Sequence, residues 1–415
     1  MKSLRIYIAL VIIPAMLIGA VGCTAAAKAS DLMTGISPNK VTGKPADSAF
    51  ITSMADFSIE LFKKSITETD NSLISPLSVI LALAMTANGA DNDTLRQMES
   101  LICGSIPLGE FNDYLYSYAK ELPSAAKSKL DIANSIWFKD DFEIYKNFLQ
   151  TNADYYRAAA YKAAFNADTE RQVNEWVKKN TDGMIDKILE PGDLANYCAI
   201  LLNAVTFDAE WQQVYYQENI NKDYFIGIKG KSSIVDFMQS SEMLYLDDGM
   251  ATGFIKPYYD NSYSFAALLP NEGVSIEKYI GGLTGAGLLE TLGSAQYTSL
   301  SAFIPKFKYD FNITLNDALI ELGMPDAFDS AKADFSKMGT SSTGLLFIDV
   351  VRHKTFISVD ELGTKAGAVA MVAMSSSAAP PSAEIKTVRL NRPFVFAIID
   401  NATNLPVFIG TLMAV

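Results

Sequence analysis

Histidine and cysteine are scarce in this 415-residue sequence, which contains one histidine, His353, and three cysteines. A Ser-His-Asp or Cys-His nucleophile would have to be built around His353, and no GxSxG nucleophile elbow accompanies it. The sequence has no CxxC pair and no cysteine-histidine cluster, which excludes structural zinc. Complete phosphate-loop and dinucleotide-binding motifs are missing as well. We therefore expect neither an enzyme nor a metal or cofactor site, and we interpret His353 as a structural hydrogen-bonding residue.

Basic residues are also few: the sequence has 34 lysines and arginines but 47 aspartates and glutamates, which gives a net charge of −13. Nucleic-acid binding depends on clustered basic residues, so this balance excludes a nucleic-acid partner. Hydrophobic residues make up 49% of the chain and charged residues 20%, a composition that predicts a folded chain with a large core.

The first 23 residues have the pattern of an export signal. Lys2 and Arg5 precede an apolar run over residues 6–18, which is too short to span a bilayer. The small residues before Cys23 (GAVG) resemble a bacterial lipobox, in which the cysteine is lipidated and becomes the first residue of the mature chain. An ordinary cleaved signal peptide is the alternative. Both interpretations place the protein outside the cytoplasm, either secreted or held on the cell envelope by a lipid anchor.

Residues 24–46 are mainly small and polar, which predicts a flexible tether. We therefore divide the chain into a signal peptide (1–22), a lipidated tether (23–46) and a folded domain (47–415). Within the folded domain, Cys103 and Cys198 lie in apolar sequence, where either a disulfide or two buried free thiols would fit.

Helix signals come early in the folded domain and strand signals come late, which predicts a mixed α+β fold. Ser75 and Pro76 provide an N-cap and a proline at the first helical position. Strand-like segments of the second half include 345–348, 355–359, 394–399 and 407–412. Turn-forming residues separate the last two segments, which favours a terminal hairpin.

Residues 363–379 (GTKAGAVAMVAMSSSAA) have one charge, no proline and mostly small side chains. A surface linker, the alternative interpretation, would be more polar throughout. With the period of a β-strand, one face of this segment is small and apolar, whereas Lys365 begins the other face. The small face comprises Thr364, Ala366, Ala368 and Ala370. We interpret the segment as a loop whose sequence suits a strand.

A series of short motifs runs from about Phe50 to the C-terminus. The motifs are residues 71–78 (NSLISPLS), 203–211 (NAVTFDAEW), 305–307 (PKF), 322–324 (LGM), 331–336 (AKADFS), 351–354 (VRHK), 360–366 (DELGTKA) and 391–394 (NRPF). In content and order, these motifs resemble the serpin family. The resemblance implies three β-sheets, eight or nine α-helices and an exposed reactive-centre loop above the central sheet. It also implies suicide inhibition: a serine-type protease attacks the loop and forms an acyl-enzyme, and the cleaved loop then inserts into the central sheet as a new strand.

The resemblance also implies roles for particular residues. A polar network beneath the central sheet, called the shutter, would contain Ser75, Asn203 and His353. The breach, where the loop first enters the sheet, would contain Trp211, Lys306 and Glu361, with an ion pair between Lys306 and Glu361. The hinge of the loop would comprise Gly363, Thr364, Lys365, Ala366, Gly367, Ala368, Val369 and Ala370. With Gly363 as the fifteenth residue before the cut, the scissile bond would be Ser377–Ala378, to within several residues.

Before cleavage, we expect both Thr364 and Ala366 to be exposed. No lysine or arginine lies between Lys365 and Lys386, so we expect an elastase-like or subtilisin-like protease as the partner rather than a trypsin-like one. The expected product is a covalent 1:1 complex with a monomeric inhibitor. A non-inhibitory serpin that acts as a surface binding or scaffold protein is the alternative. Such members often carry bulky, charged or proline residues on the face that is small here.

Overall fold

The computed structural model describes residues 28–125, 127–195, 197–341, 344–364 and 385–415. Its helices within these ranges are α1 (Ser48–Ser65), α2 (Pro76–Ala87), α3 (Asn92–Ile102), α4 (Leu108–Glu121), α5 (Lys146–Tyr156), α6 (Ala167–Asn180), α7 (Ile276–Gly282), α8 (Gly285–Gly293) and α9 (Asn316–Glu321). Two short 3-10 helices span Gln217–Asn219 and Asp326–Phe328.

The strands of the same ranges alternate with these helices and dominate the second half of the chain. They are β1 (Ser30–Asp31), β2 (Ser72–Ile74), β3 (Ser128–Lys139), β4 (Phe142–Ile144), β5 (Ala159–Ala163), β6 (Ala199–Glu210), β7 (Ile220–Ile226), β8 (Ser232–Asp247), β9 (Ala251–Pro257), β10 (Tyr263–Pro270), β11 (Gln296–Pro305), β12 (Phe307–Thr314), β13 (Gly339–Ser341), β14 (Val350–Val359), β15 (Gly363–Thr364), β16 (Lys386–Arg389), β17 (Phe394–Asp400) and β18 (Pro406–Leu412).

The strands form three sheets. The central sheet has seven strands in the order β1-β5-β3-β6-β15-β14-β12. A larger sheet follows the order β16-β11-β8-β9-β10-β17-β18-β2, with β7 paired to β8, and β13 pairs with β4 in a small third sheet. Three sheets and nine helices in the described part of the chain confirm the predicted α+β fold.

Helix α2 lies in the interior, in contact with β3 and β6 of the central sheet and with β18 of the larger one, and all of its residues are buried. It begins as the sequence predicts, because the Ser75 hydroxyl accepts a hydrogen bond from the Ser78 amide (3.4 Å) and Pro76 opens the first turn. A smaller core lies on the other face of β6, where Leu202 packs with Val173 and other apolar residues of α6. Successive residues of β6 therefore contribute to two different cores.

The predicted terminal hairpin is confirmed, since β17 and β18 pair in antiparallel orientation. The predicted strand at 345–348 is wrong. This segment is apolar because Leu346 and Ile348 are buried, but the Ile348 amide bonds to the Ala327 carbonyl (2.9 Å), outside any sheet. The strand that follows begins at Val350 and includes the predicted segment 355–359.

Residues 28–46 pack on the domain, so the prediction of a flexible tether is wrong for this part of the chain. Strand β1 pairs with β5 at the edge of the central sheet, and the Leu32 amide donates to the Ala160 carbonyl (2.9 Å). The Asn39 amide donates to the Asp154 carboxylate (2.7 Å). Pairing with a strand edge uses backbone groups, so a small and polar composition does not exclude it.

Both described cysteines are free thiols, which decides between the two alternatives left open by the sequence. Cys103 is buried, and burial raises the pKa of its thiol. Cys198 is partly exposed, immediately before β6. The helices of the described ranges include none with both the length and the apolar character needed to cross a membrane.

Candidate functional site

Strands β6 and β14 are direct neighbours over only part of their lengths. Their parallel pairing joins residues 200–205 of β6 to residues 350–355 of β14. Beyond this ladder, β15 lies between the two strands and is antiparallel to both, with Thr364 opposite Ala209 and Val359. We call the boundary between β6 and β14 the seam. One end of the seam therefore already holds two residues of an intervening strand.

At the other end of the seam, one side chain joins the beginnings of both strands. The carboxylate of Asp349, which precedes β14, accepts hydrogen bonds from the backbone amides of Cys198 (2.6 Å) and Ala199 (2.8 Å) at the start of β6. Burial raises the pKa of Asp349, although these two amides act in the opposite direction.

The expectation that Thr364 is exposed before cleavage is wrong, because this residue is only 1% exposed. Its hydroxyl forms a hydrogen bond with the buried hydroxyl of Tyr258. Gly363 lies so close to β6 that a Cβ atom would be 2.0 Å from the carbonyl oxygen of Ala209. Glycine at this position therefore allows the chain to enter the sheet, and Tyr258 binds the residue that follows.

The predicted breach residues surround the segment that leads into β15. The indole N–H of Trp211 donates to the Asp360 carbonyl (2.8 Å), and the indole ring stacks on Tyr258 with ring centroids 4.6 Å apart. The expected ion pair is present, with 2.5 Å between the Lys306 ammonium and the Glu361 carboxylate. Hydrogen bonding to Lys306 lowers the pKa of Glu361.

Beneath Trp211 lies a buried ion pair that the sequence did not predict. The Lys256 ammonium is 2.8 Å from the Glu242 carboxylate, and it lies 5.4 Å from the centroid of the Trp211 ring and 4.6 Å from that of Tyr215. Buried charges require a partner, and the aromatic rings add cation–π contacts. One signal for this pair was present in the sequence, namely a lysine, Lys256, within an otherwise apolar strand segment. Tyr258, which contacts Thr364, lies two residues after this lysine.

The predicted shutter residues meet beneath the seam, on the side of α2. His353 Nε2 accepts a hydrogen bond from the Ser75 amide (3.0 Å), and Nδ1 bonds to Asn203 Oδ1. The Asn203 amide nitrogen donates to the Ser78 hydroxyl and to Asn134 Oδ1. Because a backbone N–H can only donate, Nε2 carries no proton and Nδ1 carries it, so the ring is neutral.

This network crosses the seam, because Asn203 of β6 and His353 of β14 are opposite each other in the parallel ladder. His353 is completely buried, and burial lowers its pKa from 6.5 to about 3. These contacts agree with the interpretation of His353 as a structural hydrogen-bonding residue. Separation of the two strands would break the His353–Asn203 hydrogen bond.

The other predicted site residues lie outside the described residues. They are the hinge residues Lys365, Ala366, Gly367, Ala368, Val369 and Ala370, the reactive-bond residues Ser377 and Ala378, and the predicted lipidation site Cys23. In the part of the chain that the structure describes, no group of three or more histidine, cysteine, aspartate or glutamate side chains is arranged to hold a metal ion.

Comparisons with known proteins agree with this fold. The family Serpin (serine protease inhibitor) matches residues 52–415, and the chain belongs to this family. Its members are mostly protease inhibitors rather than catalysts. An uncharacterized serpin-like protein of Thermococcus kodakarensis is 28% identical over 372 residues, which cover 88% of this chain and 85% of the relative.

Among solved structures, the thermophilic serpin tengpin in its native state is 53% identical, with a TM-score of 0.90 over 94% of this chain and 100% of tengpin. Tengpin in its latent state is 52% identical, with a lower TM-score of 0.80 over 90% of this chain and 100% of the other. Thyroxine-binding globulin in complex with thyroxine is 21% identical, with a TM-score of 0.77 over 88% of this chain and 98% of the other, and shares the fold.

The neutral, buried state of His353 predicts a pH-dependent stability. Below pH 6.5 the unfolded chain binds a proton at this histidine, whereas the folded chain binds it only near pH 3. The free energy of unfolding should therefore fall as the pH drops from 6.5 towards 3, by about 2 kcal/mol between pH 6.5 and pH 5. Urea unfolding at a series of pH values measures this slope. A His353→Gln variant lacks the titrating group and should show a shallower slope, and equal slopes would contradict the assignment.

The hydrogen bond between the Tyr258 and Thr364 hydroxyls lies at the end of the seam that β15 occupies. It predicts that substitutions of these two residues have non-additive effects on the free energy of unfolding. Tyr258→Phe or Thr364→Val alone leaves one buried hydroxyl without its partner, so each should lower the free energy of unfolding by about 1–3 kcal/mol. The double variant removes both hydroxyls and should cost less than the sum of the single variants. Urea unfolding of all four proteins tests this cycle. Strictly additive losses would mean that the two hydroxyls do not act as a pair.

Proposed function

We propose that this chain inhibits serine-type endopeptidases as a suicide substrate, through a reactive loop at about residues 363–379. The serine of the target protease attacks the loop and forms an acyl-enzyme. The cleaved loop then inserts between β6 and β14 before the acyl bond is hydrolysed, and the protease remains attached. The position of Gly363 and Thr364 between these two strands carries the proposal, because they form the beginning of the strand that insertion would complete.

The residues that follow Thr364 have side chains that would suit a longer β15 in the same register. Continuing from Thr364, an antiparallel strand would bring Ala370 opposite both Asn203 and His353. Alternate residues share one face, so positions 366, 368 and 370 would have the same inward orientation as the buried Thr364. All three are alanine, which adds little volume to a closely packed interior. The same small face argues against a non-inhibitory serpin that acts as a binding or scaffold protein.

The free energy that insertion would release has the same magnitude as the stability of a whole domain, such as that of the attached protease. A strand from Gly363 to Ser377 would span about 46 Å at about 3.3 Å per residue. If each residue adds about one net hydrogen bond at ~1 kcal/mol, insertion lowers the free energy by about 10–15 kcal/mol. A typical domain is stable by about 5–15 kcal/mol, so the two quantities are comparable.

The composition of the loop supports the choice of target. No lysine or arginine lies between Lys365 and Lys386, and serine, alanine and methionine surround the proposed scissile bond Ser377–Ala378. Such residues suit a protease pocket for small or unbranched side chains, as in elastase-like or subtilisin-like enzymes. The product is a covalent 1:1 complex, and the inhibitor acts as a monomer.

For the location of the protein, we propose a lipid anchor at Cys23 after removal of residues 1–22. Residues 28–46 lie on the domain, so only residues 24–27 separate the anchor from the described structure. The inhibitor would thus stand outside the cytoplasm, close to the membrane to which the lipid holds it.

The proposed inhibition predicts a band at the summed mass on a denaturing gel when the protein meets an elastase-like or subtilisin-like protease. Ala366→Pro should abolish this band and leave a cleaved chain with active protease, because proline cannot donate a hydrogen bond in the middle of a sheet. Lys365→Arg is the matched control and should form the band normally, because in an inserted strand position 365 would face away from the interior.

Two outcomes would contradict the proposal. The first is a parent chain that every protease tested either cleaves or ignores. The second is an Ala366→Pro variant that traps the protease as efficiently as the parent. A substitution at Thr364 is a poorer test, because this residue is already buried in the intact protein.

The proposed anchor predicts that Cys23→Ala abolishes incorporation of a labelled fatty acid in a bacterial host. The thiol of Cys23 is the attachment point, so the unlabelled variant should retain residues 1–22, and gel autoradiography with mass spectrometry measures both effects. Cys198→Ala, which removes a partly exposed thiol of the folded domain, is the control and should stay labelled. A labelled Cys23→Ala chain would rule out the anchor.

A further inference from the structure

The segment between α6 and β6 packs on the face of the central sheet that is opposite α2. Side chains of α6 hold this segment, because Asn174 accepts hydrogen bonds from the amides of Ile188 (2.8 Å) and Leu189 (3.0 Å). The Glu170 carboxylate accepts another from the Gly192 amide (2.9 Å). Apolar side chains of the segment complete the core under α6. Residues 181–195 are therefore attached to α6, and the chain continues from them into β6.

Strand β14 contacts this segment from the other side of the seam. The Arg352 guanidinium lies 3.3 Å from the Asp193 carboxylate, and the two side chains are only 19% and 26% exposed. Lys354, two residues further along the same face, donates to the carbonyl of Lys187 (3.0 Å). His353 lies between them and points to the opposite face. The Arg352–Asp193 ion pair thus joins β14 to a segment that is continuous with β6.

Insertion of a strand would disrupt this ion pair. Neighbouring strands lie about 4.8 Å apart, so a new strand would move β14 from β6 by about that distance. A contact of 3.3 Å survives this displacement only if the segment follows β14. In that case the hydrogen bonds of the segment to Asn174 and Glu170 would break instead. Both routes oppose the opening of the seam, on the face that the shutter does not occupy.

We propose that Arg352 is a positioning residue that holds the seam closed through Asp193 and thereby limits the rate of strand insertion. Its consequence for inhibition rests on the proposed function, but the opening of the seam can be measured without a protease. The role of Arg352 is distinct from general surface electrostatics, because the two side chains are only 19% and 26% exposed and join β14 to the segment that leads into β6.

The chain provides a matched control for this distinction. Arg171 forms an ion pair with Glu175 at 3.1 Å, and both residues belong to α6, the helix that holds this segment. Neither of the two routes separates them, because α6 moves as one helix. Loss of this pair should therefore leave the rate of insertion unchanged, whereas loss of the Arg352–Asp193 pair should raise it.

The experiment adds a synthetic peptide with the sequence of residues 364–377 (TKAGAVAMVAMSSS) to the intact full-length protein and follows its uptake as a rise in the midpoint of thermal unfolding. Asp193→Asn keeps an acceptor for the Glu190 amide (2.9 Å) but removes the charge. Asp193→Asn and Arg352→Gln should take up the peptide about threefold to fivefold faster than the parent. Arg352→Lys should partly restore the parent rate, and Arg171→Gln should match it.

Urea unfolding shows that each variant is folded and separates a change in rate from a general loss of stability. Equal uptake by the parent, Asp193→Asn and Arg352→Gln would overturn the assignment, and so would an equal acceleration by Arg171→Gln. A parent that takes up no peptide would overturn both this inference and the proposed function. Faster uptake by the two variants, together with a failure to trap any protease, would contradict the proposed function alone and support the role of Arg352.

Discussion

The hydrogen-bonded ladder between β6 and β14 is the constraint on which the other features of the site depend. This ladder is parallel, and parallel pairing is slightly less stable per residue than antiparallel pairing. Strand β15 is antiparallel to both of its neighbours. A longer β15 would therefore replace one parallel ladder with two antiparallel ladders. The sheet, as it stands, makes fewer backbone hydrogen bonds than the same strands could make with a further partner between them.

Polar side chains on both faces of the sheet would have to be separated in such an exchange. On the side of α2, the His353–Asn203 bond belongs to a network in which each group depends on its neighbours, so the loss of one contact leaves buried groups without partners. On the other side, Arg352 contacts Asp193. In the proposed mechanism, the barrier to insertion would therefore arise from specific polar contacts as well as from packing, and it would keep the chain in its present structure until the loop is cleaved.

Local sequence signals predicted the parts of the fold that local interactions determine. Ser75 and Pro76 begin α2, and the terminal hairpin forms where turn residues separate two apolar segments. The prediction for Thr364 was wrong because its burial depends on Tyr258, a residue 106 positions away that no local pattern connects to it. The breach and shutter residues came from the family resemblance. The structure places them in contact, but periodicity alone would not have brought His353 and Asn203 together.

The seam is closed at the end where Asp349 lies and already open at the end where β15 lies. The carboxylate fixes the starts of β6 and β14 to each other, whereas Gly363 and Thr364 already hold the opposite ends apart. Residues 350–359 extend about 30 Å from this pivot at about 3.3 Å per residue, so a small rotation of β14 about Asp349 produces a large displacement near Thr364. A force applied at the wide end would have the longest lever arm and would break the ladder one residue pair at a time, so the bonds to Asp349 would be the last to separate.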